Sequence, residues 1–142
     1  MIDIIKELHN TINNLLTSDS KIKELVKVIS NTESNKHEIP CIIFQINNTE
    51  LNDYLSLSYK LSFSLSVIAK NTDTIYDIVN SISLLIKAKN IKIKDCEVTT
   101  LLSENVFFQT SPNLSVYKII LYYNIYLQNT NLENINLENI DE

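Results

Sequence analysis

The stretch 55-LSLSYKLSFSLSVIAK-70 decides the fold. Within it Leu57, Tyr59, Leu61, Phe63, Leu65 and Val67 alternate with Ser58, Lys60, Ser62, Ser64 and Ser66. Successive side chains of an extended chain point to opposite sides, so a period of two writes one apolar and one polar face into a single strand. The spacing predicts a long strand over residues 55–69, with odd positions against a core and even positions facing away. The even face is almost all hydroxyl, whereas exposed sheet faces usually mix charges of both signs. The plain expectation is a solvent-exposed sheet face. The alternative is a flat, small-residue surface that another layer approaches closely, either a helix of this chain or a neighbouring subunit.

Working outward, "NTDT" (71–74) supplies helix-capping residues, and "IYDIVNSISLLIKAK" (75–89) carries Ile75, Ile78, Val79, Ile82, Leu85 and Ile86 at helical spacing. Lys87 and Lys89 suit the negative end of that helix. Ile2, Ile5, Leu8, Ile12, Leu15 and Leu16 form a second apolar stripe near the N-terminus, with Asp3 at its start. In "SKIKELVKVIS" (20–30) Ile22, Leu25, Val26 and Ile29 fit a short helix, while Val26 and Val28 equally begin a strand. Pro40 opens "PCIIFQI" (40–46), an apolar run expected to be a strand buried on both faces. "IKIKDCEVTTLL" (91–102) reads as a strand whose inward register shifts near Lys94–Asp95, where a bulge is expected. "NVFFQ" (105–109) is a short separate strand, and "LSVYKIILYYNIYLQ" (114–128) is a last long strand, apolar on both faces and so central. The final residues, 129–142, repeat NLENI and read as an acidic, Asn-rich flexible tail. The order predicts one α+β domain over residues 1–128: a mainly antiparallel sheet of four to five strands with two main helices packed on one face.

Composition narrows the function. The 142 residues are 44% hydrophobic and 20% charged, with net charge -5, enough for one domain with its own core. No apolar run approaches the roughly 18 residues of a membrane span, and the N-terminus carries no basic leader-like region, so a soluble intracellular protein is expected. Cys41 and Cys96 lie far apart among strand residues and are expected to be buried thiols. The chain contains no glycine, and all its basic side chains are lysine or histidine; with its wealth of Asn, Ile and Lys this is the signature of an AT-rich coding sequence. Without glycine there is no Walker loop, dinucleotide fingerprint or nucleophile elbow. Turns that need positive φ fall to asparagine, and Asn47–Asn48, Asn90 and Asn113 are the expected positions. Without arginine, and with an acidic balance, sequence-specific DNA binding is not expected.

Candidate chemistry is sparse. His9 lies beside the first apolar stripe and His37 in a polar loop, and neither has a nucleophile or ligand partner at recognisable spacing. Glu97 with Glu104, or Asp73 with Asp77, could form an acid–base pair; solvated strand faces and a helix first turn explain them better. Lys87, Lys89, Lys92 and Lys94 form a basic cluster, read as a solvated helix end. No cofactor, metal or catalytic residue is indicated, and a non-enzyme is expected. Tyrosine is favoured both in strands and at interfaces. Tyr117, Tyr122, Tyr123 and Tyr126 share the last strand, and adjacent Tyr122 and Tyr123 cannot both point inward. The expected subunit or partner interface therefore comprises Ser58, Lys60, Ser62, Ser64, Ser66, Tyr122, Tyr123 and Tyr126.

An N-terminal helix, a loop into the Pro-led strand "IPCIIFQI", a long alternating strand, an amphipathic helix and the closing "YKIILYYNIYL" strand resemble the tail terminator (tail completion) proteins of long-tailed phages and phage-like particles. The resemblance spans roughly residues 1–128. It implies a non-catalytic ring, typically hexameric, that caps the tail tube, ends its polymerisation and docks to the head connector. DNA then passes through the lumen, and an acidic subunit suits that passage because a lysine-lined lumen would hold phosphates. The implied partners are further copies of itself, the tail tube protein and the head connector or neck protein, with no membrane; the implied location is the particle's tail-neck region, after assembly in the bacterial host cytoplasm. Bulky charge at Ser62 or Ser64 is then expected to block assembly and leave the monomer folded. The alternatives are another neck or head–tail joining ring protein, or a small non-catalytic α+β ligand-binding module.

Overall fold

The computed structural model describes residues 2–32, 36–53, 58–89, 91–93, 96–111 and 116–129. In chain order its elements are α1 (Ile2–Ser18), α2 (Ser20–Leu25), β1 (Val28–Ser30), β2 (Cys41–Asp53), β3 (Ser58–Ala69), α3 (Thr72–Lys89), β4 (Cys96–Ser111) and β5 (Val116–Asn129). The fold is mixed α+β. One five-stranded sheet runs β1-β2-β3-β5-β4, with β1 parallel to β2 and the other neighbours antiparallel. Among the described residues a short third helix joins the two main ones, because "SKIKELVKVIS" supplies both of its possible elements in succession. Asp19 caps α2 by accepting the Ile22 N–H at 3.0 Å, and the chain leaves that helix directly into β1.

The period of two becomes geometry in β3. Leu61, Phe63, Leu65, Val67 and Ala69 are all fully buried on one face. Leu8, Ile12 and Leu16 of α1 join the same core, with Ile75, Ile78 and Ile82 of α3. Helix α1 lies over β1 and β2, and α3 over β3 and β5. The Asn71 side chain starts α3 by accepting the Thr74 N–H at 2.7 Å. Strand β2 is buried on both faces as expected: Ile42 and Phe44 enter the main core, while Cys41 and Ile43 are buried on the opposite side. Strand β5 is interior, paired with β3 along one side and β4 along the other.

Three expectations change. Asn47 and Asn48 do not form a turn; β2 runs through them to Asp53, and Asn47 is the extra residue at a register shift between Ile46 and Asn48. A bulge absorbs an unpaired residue without ending the ladder. The two strands expected over 91–109 are one, because β4 stays paired with β5 from Cys96 to Ser111. Ile91 and Ile93 precede that strand as buried, non-strand residues. The register of β4 shifts between Leu102 and Glu104 and between Gln109 and Ser111, while the bulge expected at Lys94–Asp95 lies outside the described residues. The inward position of Leu57, the turns at Asn90 and Asn113 and all of the expected tail 129–142 except Asn129, which ends β5, also lie outside them.

Candidate functional site

The even positions of β3 form the centre of the sheet face opposite the helices. Pairing sets their neighbours: Lys60 stands across from Tyr126, Ser62 from Asn124, Ser64 from Tyr122 and Ser66 from Ile120. On the other side Ser64 faces Gln45 and Ser66 faces Ile43. A row of small side chains between two rows of long ones is a trough, and its depth grows along the strand. Ser64 is only 3% exposed and Ser66 6%, whereas Ser58, Lys60 and Ser62 are half-buried. These serines are thus not an ordinary solvated face even in the single chain. The Ser62 hydroxyl donates to Asn124 Oδ1 at 2.9 Å, tying β3 to β5 through side chains as well as backbone.

The tyrosines divide as their adjacency requires. Tyr122 is half-buried on the serine face and Tyr126 lies at its rim, 36% exposed. Lys60 Nζ lies 6.0 Å from the centre of the Tyr126 ring, at the outer limit of a cation–π contact. Tyr123 points to the other face, where it is 4% exposed and stacks on Phe63 at 5.1 Å between centroids and 12° between planes. Burial pushes its phenol above the ordinary tyrosine range, opposed by a hydrogen bond with Ser83. Of the eight expected interface residues the structure gathers seven on one face and places Tyr123 in the core.

Asn124 and Gln45 were not among the expected site residues, and both complete the serine trough. The signal for Asn124 is a lone polar residue in the apolar run "YYNIYL"; its pairing with Ser62 is invisible without the register. At the open end Ser58, Tyr59, Glu97, Thr99, Tyr126 and Gln128 line a shallow depression of about 260 Å³.

The candidate chemical groups fall in separate local settings. His9 is half-buried against Phe44, ring centroids 5.1 Å apart, and its Nε2 is 3.1 Å from the Asn31 amide nitrogen. His37 Nε2 lies 2.6 Å from the Thr32 carbonyl oxygen. Glu97 is exposed on β4, and Asp73 occupies the first turn of α3. No metal-binding cluster of three or more His, Cys, Asp or Glu occurs among the described residues. Cys41 and Cys96 are thiols, not joined in a disulfide; Cys41 is buried, and burial pushes its thiol upward, partly offset by Lys118. Cys96 is only half-buried, contrary to expectation, because it begins an edge strand.

No family profile and no curated protein matches the sequence. The fold is nevertheless shared with solved structures. It is similar to a chain of the virion of native gene transfer agent (GTA) particle, with a TM-score of 0.68, 10% sequence identity, 90% of this chain covered and 99% of that one. At that identity the likeness is one of fold, and it runs through nearly the whole of both chains.

Proposed function

We propose that this chain is a structural subunit of a phage-like particle and, more specifically, a tail terminator that forms a ring. The ring caps the tail tube, ends its polymerisation and docks to the head connector. The observation that carries this reading is the fold shared end to end with a gene transfer agent virion chain. The element order of the sequence supports it, as does an acidic subunit, net charge -5, around a lumen that DNA must traverse without being held. In this reading the chain binds no cofactor, performs no catalysis, and pairs with further copies of itself and with the tube and neck proteins it joins. The rim of the serine trough, Ser58, Lys60, Ser62, Tyr122 and Tyr126, packs against the neighbouring subunit. Ser64 and Ser66 sit too deep to touch a neighbour directly, and Tyr123 serves the core.

The test is the solution mass by light scattering over a wide concentration range, with negative-stain images of the protein alone and with tail-tube ends. A ring-sized oligomer, or a monomer that becomes a ring on tube ends, supports the terminator. A stable monomer that ignores tube protein overturns it and favours a small ligand-binding module.

A further inference from the structure

The helices do not cover the sheet evenly. Helix α3 lies over β3 and β5, and beyond it β4 continues the sheet to its edge. Val98, Thr100 and Leu102 pair with Leu127, Ile125 and Tyr123, so they belong to the helix-side face. Yet Leu102 is 47% exposed while Tyr123 beside it is buried. Between the C-terminal half of α3 and this part of β4 runs a groove of about 440 Å³ of mixed lining: Ile86, Ile91, Val98, Leu102 and Tyr123 with the hydroxyls of Ser83 and Thr100, and Lys87. Lys92 is exposed close by in sequence, next to the groove residue Ile91.

The chain carries a segment suited to this groove. Asn129 ends β5 opposite Cys96, two positions from Val98, so residues 130–142 start near one end of the groove. Those residues, TNLENINLENIDE, combine Leu132, Ile135, Leu137 and Ile140 with Glu133, Glu138, Asp141 and Glu142. Val98 and Leu102 lie two and six residues along β4 from Cys96, about 7 and 20 Å. The chain heads away from Val98 at Asn129 and must first reverse; at about 3.3–3.6 Å per residue the residues left after a turn of about four still extend roughly 30 Å, enough to carry Ile135, Leu137 and Ile140 along the interval from Val98 to Leu102. The apolar side chains suit Ile86, Val98 and Leu102, the asparagines suit the Ser83 and Thr100 hydroxyls, and the carboxylates suit Lys87.

We propose that residues 130–142 of the same chain bind in this groove, cover Leu102 and complete the helix-side layer over β4. The proposal holds for a monomer and for a ring, so it stands apart from the terminator reading. Its test is hydrogen–deuterium exchange on the full chain and on a full-length variant with Leu132, Ile135, Leu137 and Ile140 all changed to Asp. Residues 98–102 and 83–87 are expected to exchange about tenfold faster or more in the variant, with β2 and β3 unchanged. A free peptide of residues 130–142 restores the slower rate, and Lys87→Glu, Lys92→Glu in the otherwise natural chain raises it. Equal exchange in natural chain and variant overturns the proposal. So does protection that vanishes when the natural chain is diluted, which assigns the cover to a second copy.

Discussion

Phe63 shows how one side chain organises three strands. It is fully buried, meets Phe44 of β2 edge-on at 5.6 Å and stacks on Tyr123 of β5, so an aromatic row crosses the middle of the sheet under the helices. Phe63→Ala removes the central ring and is expected to cost about 3–5 kcal/mol, read by urea denaturation. Tyr123 adds a pH term. Its phenol is raised by burial, so above the ordinary value near 10 the unfolded chain releases this proton first and stability falls as pH rises toward the folded value. Below that range both states are protonated and the term is silent. Cys41 carries a slope of the same sign, raised by burial. The Tyr123→Phe variant is therefore expected to lose less thermal stability than the natural chain on going from about pH 9 to about pH 11. That Phe63 points inward was legible from alternation alone; that Tyr123, and not Tyr122, is its partner depended on the β3–β5 register.

Elements were legible where their signals were local. The Asn71 cap and the apolar stripe of α3 can be read from Asn71 and the 18 helical residues that follow it. Asn71→Ala is expected to cost about 1 kcal/mol, and Asn71→Asp to recover most of it, both read by thermal melting followed by circular dichroism. Strand β4 was harder. Its inward set changes parity along the sequence, which suggests separate strands, but pairing to β5 holds it as one element and lets the register shifts absorb the changes. The same happens at Asn47, where a residue suited to a turn becomes a bulge because β3 offers partners on both sides of it. Residues that tolerate irregular backbone mark where a ladder can give way, and the partner strand determines whether the chain turns there or bulges.

For the whole molecule, the serine face is the surface through which assembly is proposed, and its depth profile determines how to test it. Charge at Ser64 enters a site with 3% exposure and threatens the fold itself, so the expectation that the monomer tolerates it does not suit this geometry. Lys60 and Tyr126 form the rim and are the better probes. Lys60→Glu with Tyr126→Ser is expected to shift the protein from ring to monomer in light scattering, with the melting temperature within a few degrees of the natural chain. Rings that form normally from this double variant would move the subunit contact elsewhere on the molecule.

The sequence by itself determined the two-faced strand, the two amphipathic helices, the doubly buried β2 and the exclusion of glycine-dependent phosphate and nucleophile motifs. Each of these rests on residues a few positions apart, governed by backbone periodicity or by one residue's φ preference. Only the tertiary structure decided that β1 joins parallel to β2, that β5 lies between β3 and β4, that Ser64 and Ser66 sink between Gln45, Tyr122, Ile43 and Ile120, and that α3 stops short of covering β4. These features depend on residues tens of positions apart meeting across strands. Their burial comes from neighbours whose identity no local pattern encodes.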